Sequence, residues 1–500
     1  MSALYRIDEL RALETRARAA LPPGTLMQRA GIAAAQAVHA WHRAGRAGGH
    51  ERSLLVLCGP GDNGGDGFAC AAELQRLGYR CRCWAALPSA SADARAARAS
   101  WTQGGGRIVE QLPKQEAFDL IVDALLGIGA QRPLGEPLLG ALRWAQARDY
   151  PVHALDVPSG LDADTGAWIG AVPGAPAVQT VTFLGDKPGL HTLEGLQAAG
   201  DVRIESLGVE ATIDVGAPAG QLNTPALFAA LLRARPRNCN KGDFGSVAII
   251  GGAPGMVGAA LLAARAAIRL GAGKVYVDCI GAPELRVDML QPELMFRSER
   301  DLPPVGVLVA GCGMGCDRPA VERLERVMAH AGPVVLDADA LNCLAADPGL
   351  GARLRARAPA ASVLTPHPGE AARLLGTDTG TVQKDRVRSA LRLAQDFRAV
   401  VVLKGAGSVI AEPSARYAIN PTGGPALASA GTGDVLAGMI GALLAQHADC
   451  AAAVRAGVWL HGRAADLHGA DLGLTASELA PLAARALAQL RSATRPETTR

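Results

Sequence analysis

Aromatic side chains are scarce in this chain, with Phe, Tyr and Trp making up only 4% of its 500 residues. Large rings therefore cannot fill the interior, and the 49% of hydrophobic residues must pack chiefly as Ala, Val, Leu and Ile. A charge excess is missing too, because 50 basic and 47 acidic residues leave a net charge of +3. That balance creates no global field for nucleic acid or an anionic membrane, so any bound anion must be held locally. The ten cysteines are scattered, with only Cys81/Cys83 and Cys312/Cys316 close in sequence, and no Cys or His group has the spacing of a zinc site. No apolar run reaches membrane-spanning length without an interrupting charge or a Pro or Gly cluster. The first 24 residues carry charges throughout instead of a basic start and an apolar core, so a signal peptide is not expected. Neither nucleic acid nor membrane is expected as a partner, and a reduced, cytoplasmic setting fits best.

What the chain does have is glycine, 60 in all, and enough length for two to four domains. Glycine at strand-to-helix turns, together with small aliphatic cores, suits α/β layers. Residues 4–20 and the stretch from LMQRAG (Leu26–Gly31) onward show helical periodicity. Ser53–Leu57 is a short buried strand running straight into CGPGDNGGDG, Cys58–Gly67. Backbone N–H groups at Gly61, Gly64 and Gly65 would cradle a phosphate there, at the start of the helix that follows. The competing reading is a capped turn. Strand signals recur at Arg80–Leu87, Asp119–Leu125, Pro151–Val157 and Val178–Leu184. Two of these end in polar loops that carry Asp123 and Asp156, with Ser159 just beyond Asp156. In an open parallel sheet, loops at carboxyl strand ends line the ligand crevice, so Asp66, Asp123 and Asp156 should converge. Oxygen ligands of this kind suit a hard cation such as K⁺, Mg²⁺ or Ca²⁺. Asp156 could equally cap the Ser-Gly turn after it.

The pattern weakens between Leu207 and Arg237, which places a domain join near residue 215. Beyond it, NKGDFGS (Asn240–Ser246) leads into a buried strand, Val247–Ile250, and further strands are expected at Lys274–Ile280, Val305–Ala310 and Pro333–Asp339. Lys241 is either a phosphate contact or a solvated turn residue. Asp337 and Asp339, beside Asn342, are either metal ligands or caps. His367 in TPHPGE is held between two prolines, as a site residue or a satisfied surface histidine. VVVLKGAGS, Val400–Ser408, delivers Lys404 into a glycine turn, and AGTGDVLAG, Ala430–Gly438, sets Asp434 behind Gly431 and Gly433. Both glycines can take positive φ, and Val435, Leu436, Met439 and Ile440 recur at the spacing of a buried helix. Asp434 reads either as a helix cap or as a catalytic carboxylate beside an anion-binding turn.

The motifs LMQRAG, GPGDNGGDG, DALLGIG and DVPSGLDADTG resemble the N-terminal epimerase domain of the NAD(P)H-hydrate repair enzymes. The second half resembles that family's ribokinase-like dehydratase domain through NKGDFG, TPHPGE, VVLKGAGS and NPTGGPALASAGTGDVLAG. The resemblance implies a Rossmann-like three-layer α/β/α epimerase domain at residues 1–215 and a ribokinase-like α/β dehydratase domain at 216–500. In the first domain, Asp62, Asn63, Gly64, Gly65 and Asp66, with Gly127, Ile128, Gly129, Ala130, Gln131, Arg132 and Pro133, would hold the hydrated nicotinamide nucleotide. Asn63, Asp123 and Ser159 would bind K⁺, and Asp156 would contact substrate and act as the acid–base group. In the second domain, Lys404, Gly405, Ala406, Gly407, Ser408 and Gly433 would contact the adenine nucleotide. Ala259, Gly313, His367 and Asp434 would contact the hydrate, with Asp434 as the acid–base residue. Substrates would be the hydrates of NADH and NADPH, with ADP as co-substrate, ATP as an alternative, Mg²⁺ accompanying the nucleotide, and a homo-oligomer as the assembly. A glycine loop does not count phosphates, so the residues themselves leave ADP and ATP both open. The family usually has Asn where this chain has Asp62, and the sequence offers no reason for the added negative charge. The rival reading is a ribokinase-like small-molecule kinase fused to a non-catalytic Rossmann-like binding module.

Overall fold

The structure is a computed structural model that describes residues 3–46, 52–113, 117–209, 218–359 and 361–493. It divides into two compact units, Ser2–Pro218 and Ala219–Arg500. The predicted join near residue 215 lies outside the described residues. Among the described residues no helix is long and apolar enough to cross a membrane.

The first unit opens with two helices, α1 (Ile7–Ala20) and α2 (Thr25–Trp41). Then β1 (Ser53–Cys58), α3 (Asp62–Arg76), β2 (Arg80–Trp84), α4 (Ala92–Gln103) and β3 (Arg107–Val109) follow. After these come β4 (Leu120–Ala124), β5 (Val152–Leu155), β6 (Gln179–Phe183) and β7 (Asp201–Glu205). The sheet order is β3-β2-β1-β4-β5-β6-β7, and the ladders are parallel throughout. The chain leaves β1 toward one edge, returns to β4 beside it and then builds toward the other edge. That reversal opens a crevice above the carboxyl ends of β1 and β4. Strands β1, β4 and β5 are buried along nearly their whole length, as a sheet covered on both faces requires.

One detail differs from the sequence expectation. Helix α3 starts at Asp62, so Gly64 and Gly65 lie inside its first turns and are buried instead of forming an open loop ahead of it. A Cβ on Gly64 would come within 1.9 Å of Gly59 O, and one on Gly65 would press into the Met27 side chain. These glycines are there for close packing of α3 against its neighbours, not to bare N–H groups.

The second unit contains β8 (Gly220–Leu222), β9 (Ser246–Gly251), α5 (Val257–Arg269), β10 (Lys274–Cys279), β11 (Met295–Phe296) and β12 (Val307–Ala310). It continues with β13 (Val334–Leu336), β14 (Ser362–Leu364), α6 (Pro368–Leu375), α7 (Arg386–Phe397), β15 (Val400–Leu403), β16 (Val409–Ala411) and β17 (Tyr417–Ile419). Helices α8 (Thr432–Gln446), α9 (Cys450–His468) and α10 (Ala476–Ala493) close it. Its strands lie in the order β8-β17-β16-β15-β14-β13-β12-β9-β10-β11. From β15 back to β10 the pairing is parallel, with antiparallel β16 and β17 added beside β15. The chain again reverses direction in the sheet, here between β9 and β12.

Helix α8 is apolar on every side, as expected for a helix sunk in the core, and eleven of its residues from Thr432 to Leu444 are buried. Gly438 permits its closest approach to α5, since a Cβ there would come within 2.0 Å of Ala263 O. Gly438→Ala is expected to lower unfolding stability by about 1–3 kcal/mol, read from urea denaturation, because the added methyl has no space without moving backbone.

Candidate functional site

The two units each hold a site at the reversal of their own sheet. In the first, a cavity of about 410 Å³ lies over the carboxyl ends of β1 and β4. Asp62, Asn63, Asp66, Gly127, Ile128, Gly129, Ala130 and Asp156 line it, with Arg11, Glu14 and Arg18 from α1 on one wall. Gln131, Arg132 and Pro133 are exposed beyond the last lining residue of that loop, Ala130.

Asp156 is turned into the cavity by its backbone. It follows β5 with φ +68, a left-handed conformation that Asp tolerates better than most residues. One carboxylate oxygen, Oδ2, accepts from Ile128 N at 3.0 Å, and Oδ1 pairs with Lys187 Nζ at 2.9 Å. Lys187 is fully buried and was not singled out from the sequence. Its ammonium also donates to Thr182 Oγ1 at 2.5 Å and to the carbonyls of Phe183 and Gly185 at 3.0 Å, so every proton has a partner. The one sequence signal was a lysine four residues past the end of the strand β6, in Gly185–Gly189.

Below the cavity, Asp123 is buried and accepts from Ser159 N at 2.9 Å, Ser159 Oγ at 2.7 Å and Leu125 N at 3.2 Å. Burial raises its carboxyl, and the bonds from Ser159 oppose that rise. Asn63 Nδ2 donates to Leu155 O at 3.2 Å, while its buried Oδ1 has no hydrogen-bond partner among the described residues. An orphaned carbonyl oxygen aimed inward fits a cation ligand. Burial, and then the charge of Asp156, pushes Asp66 well above the usual carboxylate range. Asp62 is ion-paired with Arg18, a cation that it shares with Glu14. Its Oδ2 takes a bond from Arg18 Nη2 at 2.8 Å, and Ser91 Oγ donates to Oδ1. The departure from Asn at this position is thus matched by a cation from α1.

In the second unit, the loops after β9 and β12 zip together, Gly252 N donating to Cys312 O at 2.9 Å and Ala253 N to Gly313 O at 2.6 Å. Gly313 has φ +57 and stands against Ala259, where its own Cβ would sit 3.0 Å from that of Ala259. These two sequence-predicted residues are therefore neighbours. At the end of β13, Asp337 is buried and pairs with Lys404 Nζ at 2.7 Å. Its successor Ala338 has φ +48, a strained conformation that turns the chain sharply behind the carboxylate. Asp339 is occupied instead with Gly315 N at 2.9 Å and Asn342 Nδ2 at 3.3 Å.

Asp434 lies in the first turn of α8, whose N-cap is Gly431 with φ +85, and no side chain caps that end. The capping role is thus filled by the backbone, and the carboxylate is left to face Asp337 and Cys312. Gly433 is helical, not at positive φ as the sequence suggested, and a Cβ there would stand 3.3 Å from Lys404 Nζ. Burial first, and the charge of Asp337 next, raise the Asp434 carboxyl to about 6, against opposing effects of Cys312 and Lys404. The helix start is anchored by His461, whose Nε2 meets Thr432 O at 2.9 Å. Cys312 was noted in the sequence only for its spacing to Cys316.

Lys404 leads into the loop Gly405–Ser408, where Gly405 has φ +140 and Gly407 φ +63. A Cβ on Gly405 would strike the Arg386 guanidinium at 2.8 Å. Arg386 is itself buried and braces the loop by donating to Leu403 O at 3.2 Å and Lys404 O at 3.3 Å. His367 is the N-cap of α6, its Nδ1 accepting from Gly369 N at 3.0 Å, and its side chain is half exposed. The residue before it, Pro366, accepts from Lys404 N at 2.9 Å, which sets His367 on the edge of the same site, and burial and then Lys404 lower its pKa. Lys241 is exposed in a short turn away from these contacts.

The sequence matches two protein families, one described as NAD(P)H-hydrate dehydratase over residues 247–487 and one as YjeF-related protein N-terminus over residues 23–189. The bifunctional NAD(P)H-hydrate repair enzyme Nnr of Escherichia coli (strain K12) is 37% identical over 465 residues, covering 90% of this chain and 86% of the relative. The protein of that name in Coxiella burnetii is 36% identical, with 96% and 98% covered. Among solved structures, the ADP/ATP-dependent NAD(P)H-hydrate dehydratase from Bacillus subtilis, co-crystallized with ATP/Mg²⁺, is 31% identical with a TM-score of 0.47, covering 54% of this chain and 98% of that one.

Proposed function

The chain belongs to the bifunctional NAD(P)H-hydrate repair enzymes, and from that premise we propose that Asp156 and Asp434 are the acid–base residues of its two activities. It is a repair enzyme with an epimerase domain and a nucleotide-dependent dehydratase domain. We assign the first activity to residues 1–215 and the second to 216–500.

A hydrated nicotinamide carries a hydroxyl beside the ring nitrogen, and inverting that carbon needs only proton transfers that open and reclose the carbinolamine. Asp156 fits this task because it lines the cavity while Lys187 and Ile128 N fix the orientation of its carboxylate. Asn63, Asp123 and Ser159 would hold K⁺, for which the orphaned Asn63 Oδ1 is the supporting observation. When bound, that ion supplies fixed positive charge beneath the substrate anion.

For dehydration, Asp434 removes the proton of the ring hydroxyl, and the terminal phosphoryl of the nucleotide transfers to the oxygen. Phosphate then leaves as its C–O bond breaks, and the neighbouring ring carbon gives up a proton so that the ring regains its double bond. With ADP the balance is hydrate plus ADP giving NAD(P)H, AMP and phosphate, and Mg²⁺ enters with the nucleotide as its complex. The N-terminus of α8 faces the moving charge, Lys404 to Ser408 and Gly433 cradle the phosphates, and Ala259, Gly313 and His367 border the hydrate. The observation that carries this reading is the Asp434 carboxyl, raised to about 6 beside a lysine–glycine loop. A base must be ionised to act, and here ionisation is complete only above that value. Incubation with both hydrate epimers and ADP should restore all of the reduced-nicotinamide absorbance at neutral pH. Below pH 6 the dehydration rate should fall by about tenfold per unit as Asp434 protonates. Recovery stopping at half would remove the epimerase, and a rate flat from pH 7 to 5 would remove Asp434 as the base. The kinase alternative fails if free phosphate, not a phosphorylated product, accumulates.

A further inference from the structure

The turn after β12 brings a thiol into the dehydratase site. Cys312 is fully buried, and its Sγ, a carboxylate oxygen of Asp337 and one of Asp434 all lie within 4.8 Å of one another. The three donors come from three elements, namely the turn beyond β12, the end of β13 and the first turn of α8. The geometry points to a binding site for a thiophilic divalent cation of the Zn²⁺ class, held by Cys312, Asp337 and Asp434.

Zinc takes thiolate sulfur at about 2.3 Å and carboxylate oxygen at about 2.0–2.2 Å, so its tetrahedral ligands stand roughly 3.5 Å apart. The observed cluster needs only a contraction of about an ångström, within the reach of side-chain rotation. Sulfur also decides which ion is chosen. Mg²⁺ demands oxygen and keeps its waters, whereas one thiolate and two carboxylates suit zinc, cobalt or cadmium. Charge favours occupancy, since the repulsion between Asp337 and Asp434 that raises the Asp434 carboxyl would be relieved by a dication. Lys404 is the resident competitor on Asp337 Oδ1, and Gly433 beside it leaves side-chain-free space into which its ammonium can shift. Binding is a proton exchange: the Cys312 S–H bond breaks, a sulfur–metal bond forms, and the proton passes to solvent with no change of oxidation state. The bound ion would occupy Asp434 and so block dehydration while leaving epimerisation in the same chain untouched. That consequence rests on the proposed role of Asp434, but the site itself does not.

The test is titration of the full chain with Co²⁺ in the absence of nucleotide, followed by absorption. A thiolate-to-cobalt charge-transfer band saturating near one equivalent is expected, displaced by Zn²⁺. Because Cys239 and Cys316 are exposed thiols, the titration is run in a Cys239→Ser/Cys316→Ser background. Cys312→Ala should abolish the band, and Asp337→Asn should weaken Co²⁺ binding at least tenfold, with an unchanged far-ultraviolet circular dichroism spectrum and urea-unfolding profile reporting that each variant is folded. A band absent from the background protein, or one surviving Cys312→Ala, overturns the site. If the band fails while Asp434→Asn still abolishes dehydration, the metal site falls alone. If the band appears while Asp434→Asn dehydrates normally, the inhibitory consequence falls with the proposed role of Asp434.

Discussion

Asp434→Asn is expected to slow nucleotide-dependent recovery of NADH from its hydrate by about 10²- to 10⁴-fold while epimerisation of the same substrate proceeds at the wild-type rate. The amide keeps the size of the carboxylate but cannot accept the hydroxyl proton. Helix α8 should be undisturbed, because its end is capped by Gly431 and anchored by His461, not by Asp434. The change also removes one of two repelling carboxylates, so folding stability should hold or rise slightly. A coupled absorbance assay on purified protein, with urea unfolding beside it, separates the two. Near wild-type dehydration would refute the assignment, and loss of both activities would mean that the two domains are not independent.

Asp156→Asn should produce the mirror result, with interconversion of the hydrate epimers slowed by about 10²- to 10⁴-fold and dehydration intact. Here stability also suffers. Lys187 has no exposed surface, and removing the charge that faces it leaves a buried ammonium with only neutral acceptors, at a cost of about 3 kcal/mol. The double variant Asp156→Asn/Lys187→Met distinguishes chemistry from folding. It should recover most of the lost stability, since the buried cation is gone too, and none of the epimerase rate. Recovery of epimerisation in the double variant would place the acid–base function elsewhere in the cavity, with Asp66 the first candidate.

Much of this was legible in the sequence because the informative residues lie in short, contiguous motifs. The strand at Ser53–Leu57 and the apolar helix that carries Asp434 both fold as read, since an unbroken apolar run and helical spacing suffice to specify them. Three-residue strands such as β16 and β17 gave no signal, because a buried strand that short shows no period. Glycine was the most misleading residue. At Gly64, Gly65 and Gly433 the absent side chain serves close packing or leaves a space, whereas the sequence suggests bared N–H groups at the first two and a positive φ at the third. Local sequence cannot separate these uses, because both need only a missing Cβ.

The sequence alone determined the placing of Asp156 at a strand end and of Asp434 at a helix start, and the resemblance its motifs carry implied the division into two activities. What each carboxylate faces was decided only by the tertiary structure. Asp62 meets Arg18 across 44 residues, Asp156 meets Lys187 after a further strand, and Asp337 meets Lys404 across 67. Cys312 reaches Asp434 from the turn after β12, at the sheet's reversal point. Such pairings depend on which strands lie side by side, and strand order is fixed by burial of the whole sheet, not by the residues next to each acid. Neighbours in sequence therefore say where a carboxylate stands, and neighbours in space set its charge, its partners and its chemistry.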